Sequence, residues 1–128
     1  MSTKDNSIIA KKFWDELARW NLEAIDEYFA DNFIGHSHDG RVFNKAVYKQ
    51  MMLAMKKAFP DVNGNLLAMI TEGDNMALRF TTIGTDKGGW AGQPPTGKRT
   101  TLQQAYFFTM KDGKFIECWS YYGAKSIE

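Results

Sequence analysis

Residues 99–122, RTTLQQAYFFTMKDGKFIECWSYY, contain two long runs rich in aromatic and β-branched side chains on either side of a Lys-Asp-Gly triplet. Runs of this composition are typical of β-strands, and Lys111-Asp112-Gly113 is typical of a tight hairpin turn. The segment therefore predicts two antiparallel strands, over residues 99–110 and 114–122.

Two further strands are predicted immediately upstream of this hairpin. Residues 66–71 and 75–85 follow the same two-residue period, and the tight turn Glu72-Gly-Asp-Asn75 separates them. Residues 87–97 form a loop rich in glycine and proline that leads into the strand at residue 99. The second half of the chain is therefore predicted to be a meander of four strands.

The first half of the chain has a helical period instead. Apolar residues recur at helical spacing in a first helix over residues 6–19, starting from Asn6 or Ser7 as the cap. A second short helix opens at Asn21, and a third runs from the cap residue Asn44 to about residue 59, where Pro60 ends it. Residues 33–41, FIGHSHDGR, are predicted to be an irregular connection.

Helices that precede a meander of strands predict an α+β fold, with the helices packed on one face of the sheet. A chain of 128 residues is long enough to bury its own core, so we expect one domain over residues 1–128. The aromatic content of 14% exceeds what a small core needs, which favours a cavity lined by rings.

Composition also limits the partners and the compartment. The net charge is +1 without a basic block, so nucleic acid is not an expected partner. No apolar run approaches the roughly 20 residues that cross a bilayer, so no membrane association is expected. Cys118 is the one cysteine, which excludes an internal disulfide and favours a reducing, cytoplasmic location.

Alternation along the last two strands suggests which polar groups face the helices. One face of the strand over residues 99–110 carries the even-numbered residues, which are Leu102, Gln104, Tyr106, Phe108 and Met110. One face of the next strand carries Phe115, Glu117, Trp119 and Tyr121. If both sets face inward, Gln104 and Glu117 lie on the inner face. A desolvated carboxylate there has a raised pKa and suits general acid/base chemistry. The alternative is that Glu117 is paired with a lysine or arginine, or lies at the solvated end of the sheet.

Two histidines occur in the irregular connection. The pKa of histidine lies near physiological pH, so His36 is a candidate base in the pocket, although a hydrogen-bonded loop histidine is the alternative. His38 is expected to be exposed. His36, His38 and Asp39 do not have a specific ligand spacing, and no metal site is predicted. The run from Gly92 to Lys98 resembles a phosphate-binding loop, but a strand rather than a helix follows it, so no anion site is predicted.

Several short motifs occur in a consistent order along the chain. They are Phe29-Ala-Asp31 before His36, Phe59-Pro-Asp61, Glu72-Gly-Asp74, Gly84-Thr85, Gly92-x-Pro-Pro-Thr-Gly97-Lys98-Arg99, Asp112-Gly-Lys114 and Glu117-x-Trp119. Together they resemble the SnoaL-like polyketide cyclase family, which belongs to the superfamily of nuclear transport factor two and ketosteroid isomerase.

The resemblance implies a cystatin-like α+β barrel, in which three N-terminal helices pack on a strongly curved antiparallel sheet and form a cone with an internal pocket. It implies a small hydrophobic ligand, no cofactor and a homodimer through the sheet. Characterised cyclases of the family close a polyketide ring by an intramolecular aldol reaction.

The chain departs from the family pattern at residues that matter for catalysis. The family's closing Glu-His-Trp has Cys118 in place of the histidine, and Gly123 stands where the cyclases have their acid/base Asp. Phe13 falls near the position of the oxyanion-binding tyrosine of ketosteroid isomerase.

Two functional hypotheses follow. The first is a cofactor-free enzyme of cyclase or isomerase type that acts on a hydrophobic carbonyl compound, with His36 and Glu117 as catalytic candidates and Gln104, Tyr106 or Tyr121 as hydrogen-bond donor. The second is a non-catalytic ligand-binding or accessory protein that retains the pocket. A purely structural dimerisation module is a third alternative. The candidate ligand-binding residues are Phe13, Trp14, Trp90, Gln104, Tyr106, Trp119 and Tyr121, with Trp90 either a lid or a loop anchor.

Overall fold

The first half of the chain contains two helices, two strands and a third helix, and strands alone follow. The computed structural model describes residues 2–90 and 92–126. Within these residues the helices are α1 (Thr3–Ala18), α2 (Glu23–Tyr28) and α3 (Lys45–Ala58). The strands are β1 (Phe29–Ser37), β2 (Val42–Phe43), β3 (Asn63–Glu72), β4 (Asn75–Thr85), β5 (Arg99–Lys111) and β6 (Lys114–Ser126).

Helix α1 begins earlier than the sequence pattern predicts. Ser2 is its N-cap, because the Ser2 hydroxyl accepts a hydrogen bond from the Asp5 backbone N–H at 3.1 Å and the Asp5 carboxylate accepts one from the Ser2 backbone N–H at 3.4 Å. Asn6 is buried and its amide donates to the Gly73 carbonyl at 2.8 Å and to the Asp74 carboxylate at 3.1 Å. The expected cap residue therefore ties the helix to the turn between β3 and β4.

The limits of α3 confirm the prediction. The Asn44 side chain accepts a hydrogen bond from the Val47 backbone N–H at 2.9 Å, as an N-cap residue does. The helix ends at Ala58, two residues before Pro60, where the pyrrolidine ring disfavours further helix.

The six strands form one sheet in the order β2-β1-β6-β5-β4-β3. Strands β3 to β6 are antiparallel neighbours, so the predicted meander is confirmed. At the β5–β6 turn Asp112 and Gly113 both have positive φ, 52° and 78°, as a tight hairpin turn requires.

The segment predicted to be irregular, residues 33–41, contains the second part of strand β1, which begins at Phe29. This strand runs parallel to β6, with Gly35 beside Cys118 and Ser37 beside Ser120. The sheet is therefore mixed rather than antiparallel throughout. Local sequence could not indicate this pairing, because the partner strand lies about 80 residues away. The packing of β1 requires glycine at position 35, since a Cβ there would overlap the ring of Phe43.

A β-bulge reverses the predicted facing of β6. Met110 pairs with Phe115 but Thr109 pairs with Glu117, so Ile116 is an extra residue on β6. Phe115 and Cys118 are both fully buried although three residues apart, and strict alternation cannot bury both.

The bulge has a direct consequence for the candidate site. Cys118, Ser120 and Tyr122 face the helices, whereas Glu117, Trp119 and Tyr121 lie on the outer face of the sheet. The prediction that Glu117, Trp119 and Tyr121 face inward is wrong.

The helices close the inner face of the curved sheet and make the core largely aromatic. The fully buried rings belong to Phe13, Phe29, Phe33, Phe108 and Phe115. Trp14 adds tilted contacts to Phe80 and Tyr106, with ring centroids 5.7 and 6.2 Å away. In the described part of the chain, every helix is too short or too polar to cross a bilayer.

Candidate functional site

A cavity of about 710 Å³ lies between α3 and the inner face of the sheet. Its wall is formed by α3, β5, β6 and the loop after β4. The apolar part consists of Phe43, Met51, Met52, Ala54, Met55, Trp90 and Leu102, and the polar part of Tyr48, Gln104, Tyr106, Ser120 and Tyr122. Asp39, Arg41 and two loop glycines line its exposed end. The volume falls in the range of small-molecule sites.

A chain of side-chain hydrogen bonds runs along the polar part of the cavity wall. The Thr82 hydroxyl donates to the Gln104 side-chain carbonyl at 2.8 Å, and the Gln104 amide N–H donates to the Tyr106 hydroxyl oxygen at 2.8 Å. Among the described residues, no protein acceptor takes the hydroxyl hydrogen of Tyr106. A hydroxyl that already accepts one hydrogen bond is a better donor, because the bonds polarise each other. The chain of bonds therefore directs a donor toward the cavity.

Burial keeps the cavity tyrosines protonated. Desolvation raises the pKa of Tyr106 above its ordinary value, an effect that the Gln104 hydrogen bond only partly offsets. Desolvation also raises the pKa of Tyr48 on α3 well above its usual range. Both side chains are neutral at physiological pH and can donate hydrogen bonds.

Trp90 lies on the glycine-rich loop and packs against Phe59, with ring centroids 5.7 Å apart. Its indole nitrogen is buried and has no hydrogen-bond partner among the described residues. A buried donor without a partner costs about 1–3 kcal/mol. The Trp90 side chain therefore lines the cavity and holds a second uncommitted donor, which is shielded from solvent within the cavity wall.

The charged groups at the exposed end are paired with each other. The Asp39 carboxylate accepts hydrogen bonds from the Arg41 backbone N–H at 3.1 Å and from its Nε at 2.8 Å. These contacts, the backbone N–H first, lower the pKa of Asp39 below its usual value. Asp39 is the one carboxylate among the described residues that line the cavity.

The structure brings together only part of the predicted ligand-binding set. Trp90, Gln104 and Tyr106 line the cavity. Phe13 is fully buried in the aromatic core, and Trp14 lies behind Tyr106, where it lines a small recess rather than the main cavity. Trp119 and Tyr121 do not reach the cavity, because the bulge in β6 turns them to the outer face.

The two catalytic candidates meet each other on that outer face. His36 Nε2 and Glu117 Oε2 are 2.8 Å apart, and the His36 ring is stacked on Trp119 with centroids 3.9 Å apart and planes at 11°. The predicted pairing of Glu117 is thus made with a histidine rather than a lysine or arginine. His36 and Glu117 are separated from the cavity by the sheet.

His38 and Asp39 do not join His36 in a metal site. His38 is exposed and its ring meets Tyr122 edge-on, with centroids 4.5 Å apart. Across the residues that the structure describes, no three His, Cys, Asp or Glu side chains converge as metal ligands.

Several lining residues were missed at the level of sequence. Ser120 and Tyr122 belong to the face of β6 that is predicted to point away from the helices, and Asp39 is considered from the sequence only as a metal ligand. Arg41 and Tyr48 are not among the predicted site residues. One signal was present: Cys118, Ser120 and Tyr122 also alternate, and adjacent Phe115 and Ile116 break the two-residue period where the bulge occurs.

The cone of sheet, the covering helices and the cavity between them define an α+β protein of the NTF2-like class. The family model for SnoaL-like polyketide cyclase matches residues 8–127. The chain belongs to the SnoaL-like polyketide cyclase family, as its motifs suggested.

Solved structures show the same fold. AclR, a candidate hydroxylase from Streptomyces galilaeus, is 26% identical, with a TM-score of 0.83 over 95% of this chain and 77% of that chain. A SnoaL-like polyketide cyclase from Agrobacterium tumefaciens strain C58 is 20% identical, with a TM-score of 0.79 over 96% of this chain and 93% of that chain. At 20% identity the second likeness concerns the fold alone. No curated protein matches the sequence significantly.

Proposed function

We propose that this protein binds a small, largely apolar molecule in the cavity and that the Tyr106 hydroxyl donates a hydrogen bond to an oxygen atom of that ligand. The observation behind the proposal is the direction of the bonds along the wall. Gln104 donates to Tyr106, which leaves the hydroxyl hydrogen of Tyr106 for a ligand. The apolar lining would contact the rest of the molecule.

The chemistry of the lining favours a ligand that presents acceptor oxygens. The uncommitted polar groups of Tyr106 and Trp90 are donors. Carbonyl, quinone and similar oxygens accept such bonds, whereas a ligand ammonium group, which has no lone pair, would leave both donors unpaired. Methionines on α3 support the same interpretation for the apolar part, since their unbranched side chains adapt to varied shapes.

An enzyme of cyclase or isomerase type is the second candidate, and Asp39 favours it. Enolisation of a carbonyl compound needs a base beside the acidic carbon and a donor at the developing oxyanion. Asp39 and Tyr106 would supply these groups. We rank the binding function above the enzymatic one, because the Arg41 contacts lower the pKa of Asp39 and so weaken its carboxylate as a base.

The catalytic residues predicted from the sequence give less support to an enzyme. Gly123, which the resemblance to the cyclases places at the position of their acid/base Asp, has no side chain. His36 and Glu117 lie across the sheet from the cavity, so proton transfer by them would require a substrate on the outer face.

We expect Tyr106→Phe to weaken binding of a hydrophobic ketone or quinone about tenfold, because it removes one hydrogen bond to the ligand and leaves the shape of the wall unchanged. Tryptophan fluorescence against a panel of polycyclic ketones, quinones and steroids, with hydrocarbons of the same shape, measures the effect. Tyr28→Phe, a change outside the cavity lining, is the matched control.

The outcomes of this experiment are distinct. Ketone affinity that stays the same in Tyr106→Phe, or hydrocarbons that bind as tightly as ketones, would contradict the role of Tyr106. Conversion of a bound ketone into product that is lost in Asp39→Asn would establish the enzyme instead of the binder.

We also propose that the chain forms a homodimer through the outer face of the sheet. This face exposes large apolar side chains that a monomer rarely leaves in water: Ile34, Val42, Ile70, Phe107, Trp119 and Tyr121 are all at least 45% exposed. A second copy would remove them from water.

We expect Phe107→Lys to weaken self-association about thirtyfold, because it places a charge in the middle of this apolar face. Sedimentation velocity across a range of protein concentrations measures the change. Leu53→Lys on the exposed side of α3 is the control, since Leu53 is equally exposed at 54% but lies away from the sheet. A dimer that survives Phe107→Lys and dissociates with Leu53→Lys would place the interface on the helices.

A further inference from the structure

A continuous line of paired residues crosses all six strands on the outer face. Each member is the registered neighbour of the next, so their side chains point to the same side. The line, which we call the apolar row, consists of Val42, His36, Trp119, Phe107, Ala77 and Ile70. Its end residues are the most exposed, Val42 at 66% and Ile70 at 71%.

The two rows on either side of the apolar row differ in charge. Two residues along the strands in one direction lie Ile34, Glu117, Thr109, Asn75 and Glu72, which we call the acidic row. In the other direction lie Tyr121, Ala105, Arg79 and Ala68, which we call the arginine row. The apolar row therefore separates negative from positive charge on one face.

The charges that flank the apolar row are only partly compensated within the chain. Arg79 and Glu72 are exposed, and among the described residues neither has an oppositely charged group within 4.0 Å of its own. Glu117 pairs with His36. Arg79 and Glu72 are therefore available to a second molecule.

We infer that two copies of this chain pack with their outer faces together and that the two-fold axis runs along the apolar row. The inference rests on the homodimer proposed above and adds its orientation. Rotation by 180° about this axis places each strand of one copy over the same strand of the other copy. The rotation also exchanges the positions of the acidic row and the arginine row. The arginine row of each copy then faces the acidic row of the other.

The alternative axis, parallel to the strands, is electrostatically worse. It would place the acidic row of one copy on the acidic row of the other and arginine row on arginine row. Like charges brought together at an interface oppose association, whereas complementary rows favour it and fix the register. The usual rotation of about 30° between packed sheets does not exchange the rows.

The axis along the apolar row makes a specific contact. Arg79 on β4 faces Asn75 of the second copy, and Glu72 on the neighbouring strand β3 lies within reach of its guanidinium. Symmetry forms this pair twice. Lys111, at the β5–β6 turn beyond the acidic row, faces the neutral residue Gln103 of the second copy. The Lys114 ammonium group donates to the Glu27 backbone carbonyl at 3.0 Å within its own chain, so neither lysine disturbs the pattern.

A charge exchange tests the orientation. Arg79→Glu and Glu72→Arg are each expected to weaken the homodimer about tenfold, because each replaces two attractive pairs by two repulsive ones. In an equimolar mixture of the two variants, both pairs are again of opposite charge. We therefore expect a heterodimer with the affinity of the wild-type homodimer, measured by sedimentation equilibrium or native mass spectrometry.

The outcomes separate this inference from the homodimer itself. If wild type is dimeric and Phe107→Lys disrupts it, but Arg79→Glu has no effect or the mixture is not restored, the homodimer stands and the orientation is wrong. If the wild-type protein is a monomer at all concentrations, the homodimer and its orientation are both wrong, and the apolar outer face would instead bind a different partner. Thermal melts of each variant verify that both surface substitutions leave the fold intact.

Discussion

We expect Cys118 to react with a thiol reagent about a thousandfold more slowly in the folded protein than in the unfolded chain at pH 8. The Cys118 thiol is fully buried, and burial raises its pKa to about 12 from the usual 9.0. Only the thiolate reacts, and its fraction at pH 8 falls by the same factor of about one thousand. Colour development with an aromatic disulfide, with and without denaturant, measures the two rates.

This reaction also reports on the bulge in β6. Strict alternation with Glu117 facing inward would expose Cys118 on the outer face, where it would react rapidly. Rapid and complete labelling of a protein that keeps its circular dichroism spectrum would therefore contradict the observed facing of β6. Cys118→Ser, which has no thiol, is the control for side reactions.

The raised pKa of Cys118 has a consequence at alkaline pH. Between pH 9 and about 12 the unfolded chain loses the thiol proton while the folded protein keeps it, so the free energy of unfolding decreases with pH. The slope is at most about 1.4 kcal/mol per pH unit for this group. Tyr48 and Tyr106, whose pKa values are also raised by burial, add to the loss above their ordinary pKa. Urea titrations of the wild-type protein and Cys118→Ser at several pH values measure how much of this decrease in the free energy of unfolding comes from Cys118.

The second large effect concerns Phe29, and we expect Phe29→Ala to reduce the free energy of unfolding by about 3–5 kcal/mol. Phe29 is fully buried at the start of β1, where its ring lies 4.4 Å from that of Phe33, 4.9 Å from Tyr48 and 5.4 Å from Phe13, centroid to centroid. One ring thus joins α1, α3 and β1. The loss is a large part of the 5–15 kcal/mol that stabilises a typical domain.

Urea denaturation followed by circular dichroism measures this loss. The matched control is Leu53→Ala, which removes an apolar side chain that is 54% exposed on α3 and should change stability by less than about 1 kcal/mol. A cost below about 1.5 kcal/mol for Phe29→Ala would mean that the aromatic core repacks around the gap, and that β1 is held to the helices by other contacts.

The sequence predicted the parts of the fold that depend on neighbours along the chain. Helical spacing placed the helices, Asn44 and Pro60 marked the limits of α3, and the turns at residues 72–75 and 111–113 placed the strands of the meander. The motifs identified the family. In the candidate site, alternation along β5 correctly put Gln104 and Tyr106 on the inner face, because β5 runs without a bulge as far as Thr109.

Tertiary structure decided the facing of β6 and the place of β1. A bulge costs little locally and is selected by the need to bury both Phe115 and Cys118, a condition set by residues on other elements. The parallel pairing of β1 with β6 likewise depends on backbone hydrogen bonds between segments that are distant in sequence. These two features moved His36 and Glu117 to the outer face and left Asp39 and Arg41 at the end of the cavity. The sequence by itself thus determined the three helices and the four strands of the meander, through local periodicity and capping, and it determined the family through its motifs. The composition of the site depended on contacts between distant segments, which no local pattern records.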